Sequence, residues 1–154
     1  MAARRAGLPL WRLLDDSGTG VGLVRVYASD IVPQDVVDLA LAKQAQGYAA
    51  FKLKVGFAAD VDRRNLADLR AALGPQAEIM IDAYQAWSPG DVVTRIAALA
   101  DLEPLWVEEP IAADEDAAHW RQLANECGLA LAAGENLRGE AAFTQAVDAD
   151  YLRY

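Results

Sequence analysis

Five short segments rich in β-branched and aromatic residues punctuate the chain, at 21–28, 51–55, 78–83, 105–109 and 129–133. Each is followed by an Ala-rich stretch whose apolar positions recur at helical spacing, and this alternation predicts a parallel sheet with crossover helices. The segments begin 24 to 30 residues apart, one β/α unit per interval, although the residues themselves do not repeat. Residues 151–154 read as a sixth strand that has only begun.

The stretches between the segments carry helix signals. Pro33 stands at the head of 34–46, where a missing amide donor costs nothing, and Gly47 stops that helix. Asp60 or Asp62 is the expected cap of 61–73, which Gly74 and Pro75 end. Ser88 followed by Pro89 reads as cap and first position of a helix running to Leu99, and Asp114 as the cap of a helix reaching Cys127, closed by Gly128. Gly18, Thr19, Gly20 and Gly22 read as a turn or linker that separates an Arg- and Trp-bearing leader, 1–16, from the first strand.

With 154 residues the chain is one domain or part of a larger one, and 54% hydrophobic residues are enough to bury a core. A net charge of −9 repels phosphate backbones and anionic membranes, so neither nucleic acid nor a membrane surface is an expected partner. Apolar runs fall well short of the ~20 residues of a spanning helix. The basic first residues are not followed by an apolar helix and a cleavage site, so no signal peptide is read. Cys127, the single cysteine, has no partner for an internal disulfide and no metal-ligating neighbours. It reads as a small helix-packing residue, and a reducing cytoplasm is the expected compartment.

In parallel α/β folds the carboxyl ends of the strands and the loops after them form the ligand site. Lys52 and Lys54 are two apart on the second predicted strand and share a face, opposite Phe51, Leu53 and Val55. A lone Lys-x-Lys is ordinarily the solvated face of an edge strand. With the apolar face packed on helices, both amines instead point into the interior of the sheet or the mouth of a barrel. Asp82 ends the strand Ile79, Met80, Ile81; Glu108 and Glu109 end Leu105, Trp106, Val107; Glu135 follows Leu131 to Gly134. Singly, each acid reads as a cap or a solvated charge. Jointly, three carboxylates recur one β/α unit apart at equivalent heights, and clustered like charges need a cation to hold them together. Oxygen donors without Cys or His select a hard ion such as Mg²⁺. Cationic neighbours and desolvation lower the pKa of an ammonium, so a lysine beside such a site can serve as a base. Lys54, nearer the carboxyl end, is the candidate base and Lys52 its support.

These residues, as Lys52-Leu-Lys54, Ile81-Asp82-Ala-Tyr84, Trp106-Val-Glu108-Glu-Pro110 and Ala133-Gly-Glu135-Asn136, resemble in order and spacing the mandelate racemase/muconate lactonizing branch of the enolase superfamily. The resemblance spans about 8–154. It implies a partial (β/α) TIM-type barrel of about five β/α units, with 1–20 a leader resembling the junction from a capping domain and 21–154 the first part of the barrel. It implies Asp82, Glu108 and Glu135 as Mg²⁺ ligands and Lys54, supported by Lys52, as the acid/base group. Tyr84 and Asn136 are implied as substrate-binding. The reaction would be removal of the α-proton of a small carboxylate, a sugar acid or 2-hydroxy acid, through an enediolate that is reprotonated in racemisation or expels a β-hydroxyl in dehydration. The Gly-Glu-Asn setting of Glu135 is more similar to the racemase and acid-sugar dehydratase members than to the lactonizing or dipeptide-epimerase members. Full-length relatives are expected to be homo-oligomers.

Two departures stand out. Tyr84 occupies a position where many relatives have Asn. The cap beyond the leader, and the sixth-strand Asp and seventh-strand His of mandelate racemase-like members, have no counterpart here. His119 lies mid-helix and reads as a surface or packing residue. A half-barrel would expose open sheet edges, so self-association or unfolding is expected of the isolated chain. Two other readings fit the length: a catalytically silent half-barrel, and a receiver-type signalling module in which clustered acids bind Mg²⁺.

Overall fold

The computed structural model describes residues 2–15 and 23–154. Two short helices, α1 (Ala2–Ala6) and α2 (Leu10–Leu14), occupy the leader. They are followed by β1 (Ala28–Ile31), α3 (Val36–Ala45), β2 (Ala50–Lys54), α4 (Ala59–Leu73), β3 (Glu78–Asp82), α5 (Val92–Ala97), a 3-10 turn (Ala100–Leu102), β4 (Trp106–Glu108), α6 (Ala117–Glu126), β5 (Ala130–Ala132) and α7 (Gly139–Asp148). All the strand pairs are parallel and the order is β1-β2-β3-β4-β5. A sheet in strict chain order is the wall of a β/α barrel. A doubly wound receiver would have its first strand inside the sheet, in the order 2-1-3-4-5, so that reading is set aside.

The helix-facing side of the sheet carries Phe51, Leu53, Ile79, Ile81, Val107 and Leu131, which are 0–1% exposed and join Leu66, Leu69, Ile96 and Trp120 in one core. The other face carries Lys52, Met80 and Asp82, buried as well, with Glu108 half-buried. Both faces of β3 are thus covered, which explains its unbroken Ile-Met-Ile run.

The first strand lies further along the chain than its β-branched run predicts. Residues 21–22 fall outside the described residues, and 23–27 belong to no strand, with Leu23, Val24 and Val26 facing solvent. Ala28 and Ile31 reach the core instead, and the irregularity between them, with Asp30 at φ 60°, puts two residues three apart on one side. Burial, not composition, selects the register.

Helix starts shift for local reasons. Residues 88–91 form a turn, because Ser88 O accepts from the amides of Asp91 and Val92, so α5 begins after Asp91 and not at Pro89. Asp116, not Asp114, caps α6, its Oδ1 accepting from Ala118 N at 2.8 Å. Neither Asp60 nor Asp62 caps α4; Asp62, 2% exposed, turns back to accept from Gly56 N and Phe57 N at 3.1 and 3.2 Å. Residues 151–154 are not a strand, yet Arg153 N and Tyr154 N donate to Leu131 O and Ala133 N to Tyr154 O, laying that segment along β5. Cys127 is buried at the end of α6 as a packing residue, its thiol donating to Leu129 O. The glycine-rich linker at 18–22 lies outside the described residues. Among the described residues no helix is long and apolar enough to cross a membrane.

Candidate metal centre

Parallel pairing sets the heights of the site residues. Lys54 is the register partner of Asp82, and Asp82 of Glu108, so three charged side chains leave the sheet at one level on one face. The ladder runs one residue past each strand, with Val55 N on Asp82 O, Ala83 N on Glu108 O and Glu109 N on Ala132 O. Glu135 enters from the loop after β5.

The chain then turns sharply. Tyr84, Gln85 and Glu109 adopt left-handed conformations at φ 45°, 63° and 41°, uncommon for residues with a Cβ and a recurrent feature of functional sites.

One oxygen each from Asp82, Glu108 and Glu135 lies within 4.8 Å of the others. In an octahedral Mg²⁺ shell at about 2.1 Å, ligand oxygens are about 3.0 Å apart when adjacent and about 4.2 Å when opposite, so closing the set on the ion requires the side chains to rotate toward one another. Asp82 is 1% exposed, Glu108 half-buried and Glu135 exposed, a gradient from sheet to mouth. The donor set is all oxygen and fits a hard divalent cation.

Both predicted lysines meet these carboxylates. Lys54 Nζ donates to Asp82 Oδ2 at 2.6 Å, while Lys52 Nζ donates to Glu108 Oε2 at 2.7 Å and lies 3.4 Å from Asp82 Oδ2. Three acids and two ammonium groups leave one net negative charge, which a bound dication would reverse. Lys52 is buried, which excludes the solvated edge-strand reading; Lys54 keeps a quarter of its side chain exposed. Burial is the largest influence on the Lys52 ammonium and lowers its pKa. The hydrogen bond and charge of Glu108, with the charge of Asp82, outweigh it and the pKa is pushed up to about 12.

Tyr84 is exposed at the mouth, its ring centroid 5.2 Å from Lys54 Nζ and its amide donating to Asp82 Oδ1 at 3.0 Å. Asn136 is half-buried and turned away from the cluster: its backbone amide and its Nδ2 both donate to Glu109. His119 stands apart on α6, paired with Glu115.

Several residues around the site were not singled out from the sequence. The Tyr27 ring lies 5.3 Å from Lys52 Nζ and packs edge-on to Trp106, which in turn meets Tyr154 at 4.3 Å, lining the inner face beneath the lysine. Gln85 Oε1 accepts from Ala113 N, tying the loop after β3 to the loop after β4. Glu109, 1% exposed, points to the opposite side of β4 from Glu108; strict alternation along a strand was the available signal. A groove of about 950 Å³ between α6 and α7 shares no residue with the carboxylate cluster.

Residues 35–154 match the family described as enolase C-terminal domain-like. Across 155 aligned positions the chain is 36% identical to 3,6-anhydro-alpha-L-galactonate cycloisomerase of Streptomyces coelicolor, covering 96% of this chain and 41% of the relative. It is 33% identical to L-galactonate dehydratase of Hypocrea jecorina, over 67% of this chain and 24% of that one. Among solved structures, a mandelate racemase/muconate lactonizing enzyme from Bordetella bronchiseptica superposes with a TM-score of 0.87 at 44% identity, covering 99% of this chain and 41% of that chain. A racemase from Streptomyces coelicolor with bound magnesium gives 0.84 at 33% identity, covering 94% and 41%. The chain spans between a quarter and two fifths of the length of its first-ranked relatives.

Proposed function

Because the chain belongs to the enolase C-terminal domain-like family, we propose that Asp82, Glu108 and Glu135 hold one Mg²⁺ and that Lys54, with Lys52 behind it, removes the α-proton of a small carboxylate substrate. One observation carries this reading: three carboxylate oxygens from the ends of three successive parallel units lie within 4.8 Å, with two lysines hydrogen-bonded to them. An α-proton beside a carboxylate is very weakly acidic, and Mg²⁺, when bound, would supply positive charge against the substrate carboxylate as that proton leaves.

The chain's own residues divide the remaining work. Lys54 faces the mouth and is open to substrate, which suits proton transfer at Nζ. Lys52 is buried and its raised pKa keeps it charged at neutral pH, which suits a fixed cation beside a substrate oxygen better than a base. The exposed ring of Tyr84 over Lys54 is placed to contact substrate. Asn136, engaged by Glu109, is assigned to holding its own loop instead of the substrate contact expected from the sequence.

For the whole protein we propose dehydration of an acid sugar or racemisation of a 2-hydroxy acid. The support is the donor set together with relatives whose names specify galactonate-type substrates. Within it, residues 1–20 are proposed as the junction from a capping domain and 21–154 as the first part of the barrel.

Titration calorimetry with Mg²⁺ tests the site. Saturable binding that Asp82→Asn abolishes is the expected result, and equal heats from the two proteins would overturn it. For the reaction, α-proton exchange into deuterated water is followed by NMR over a panel of acid sugars and 2-hydroxy acids. Lys54→Met should stop the exchange while metal still binds; exchange at the parent rate would place the base elsewhere.

A further inference from the structure

Of the three carboxylates, Glu135 is held least. It is exposed, it stands on the loop after β5, and among the described residues none donates a hydrogen bond to its carboxylate. Its neighbour Asn136, by contrast, is anchored twice. The Asn136 amide donates to Glu109 Oε1 at 2.9 Å and Asn136 Nδ2 donates to Glu109 Oε2.

Glu109 is a costly group to place there. Its carboxylate is 1% exposed, and burying a charge is unfavourable unless donors satisfy it. Its backbone is left-handed at φ 41°, and that backbone is also occupied: Glu109 N donates to Ala132 O, and Glu109 O accepts from Gln85 N at 2.6 Å. A single residue therefore joins the loops after β3, β4 and β5, which are the loops that follow Asp82, Glu108 and precede or contain Glu135.

We infer that Glu109 is a positioning residue for the metal site: its carboxylate clamps Asn136 and thereby sets where the adjacent Glu135 carboxylate stands relative to Asp82 and Glu108. The inference rests on the reading of Glu135 as a metal ligand. The two carboxylates of Glu108-Glu109 thus divide the labour across the faces of β4. Glu108 turns inward to the cluster, and Glu109 turns the other way and holds the loop that supplies the third oxygen. Partners behind the ligands of a metal site fix ligand orientation, and losing one typically costs about 10- to 100-fold in metal affinity.

The test measures Mn²⁺ affinity by electron paramagnetic resonance on the full chain. Glu109→Leu removes both acceptors at similar volume; Asn136→Ala cuts the side-chain bond without touching the core, so a variant remains if the first fails to fold. Both should weaken Mn²⁺ by about 10- to 100-fold. Glu109→Gln should bind close to the parent, because the Asn136 amide can turn over and pair with it, a rescue by shape and hydrogen bonding without the charge. Parent-like affinity in Glu109→Leu and Asn136→Ala would overturn the positioning role while leaving the metal reading intact. If the parent binds no Mn²⁺, or binds it no better than Asp82→Asn, the metal reading fails. The clamp is then judged by hydrogen exchange at the backbone amide of Asn136, which Glu109→Leu should accelerate by removing its acceptor; unchanged exchange would overturn it.

Discussion

Lys54 and Asp82 are register partners across β2 and β3, and their side chains meet at 2.6 Å on the inner face of the sheet. The pairing fixes a cation and an anion at the same height without help from any loop, since parallel strands hold register through their ladder. Lys52, one pleat earlier, reaches the next acid along, Glu108 on β4. The lysines and carboxylates therefore form one network spanning three strands, and removing any member leaves charge unpaired in a region with little water.

Lys52 gives the protein an alkaline stability limit. The folded-state pKa stands at about 12, above the ordinary 10.5, so the folded protein binds this proton more tightly than the unfolded chain. The resulting stability is fully present below pH 10.5 and is lost as pH rises toward 12, a difference on the order of 1–2 kcal/mol. Urea midpoints measured across that window should fall for the parent and stay flatter for Lys52→Met, which starts lower because Glu108 and Asp82 lose a partner. Parallel slopes would assign the alkaline loss to other groups.

The metal site should be visible in stability. A ligand that binds the folded state alone at 100 times its Kd stabilises by about 2.7 kcal/mol. Added Mg²⁺ should raise the thermal midpoint and a chelator should return it, with Glu108→Gln reducing the rise. A Glu108→Gln protein whose midpoint responds to Mg²⁺ as the parent does would remove Glu108 from the ligand set.

Much of this was legible in the sequence, because Lys54, Asp82 and Glu108 end strands, Glu135 follows one, and the strands recur one unit apart. Lys52 and Lys54 alternate with Phe51 and Leu53, and that period of two assigned both faces of β2 correctly. The long-range geometry was not legible. Nothing in the spacing brings Tyr27 under Lys52, and the sequence places Glu109 beside Glu108 at the strand end without giving it a role, although it faces the opposite side of the strand. Residues 21–28 have strand composition, while burial of Ala28 and Ile31 decides the pairing. Where acids stand two residues apart, as with Asp114 and Asp116, hydrogen-bond geometry and not residue type decides which one caps the helix.

Trp120 is the large aromatic of the helix layer, 1% exposed and stacked on Tyr151 at 5.3 Å, with its indole N–H donating to Ala112 O. Trp120→Ala should cost about 3–5 kcal/mol through the cavity it opens. Trp120→Phe, which keeps the stack and loses the hydrogen bond, should cost less. Denaturant unfolding followed by circular dichroism measures both; a loss under 1 kcal/mol for the alanine variant would mean that this layer repacks freely.

Gly56 and Gly47 share a φ of +95° and differ in their surroundings, which makes them an informative pair. A Cβ on Gly47 meets nothing within 4 Å; a Cβ on Gly56 would lie 2.6 Å from Ala86 Cβ and 2.9 Å from Ala83 O. Both alanine variants carry the left-handed penalty of about 1–2 kcal/mol, and Gly56→Ala alone adds a clash worth about 1–3 kcal/mol. The clash falls where the loop after Lys54 packs against the loop after Asp82, so relief must push the two apart. Gly56→Ala should therefore be less stable than Gly47→Ala in denaturant and should also bind Mg²⁺ more weakly, whereas Gly47→Ala should bind as the parent does. Equal stability of the two variants would show that the loops yield without cost. Equal metal affinity in the face of lost stability would show that Asp82 keeps its place through the β3 ladder alone.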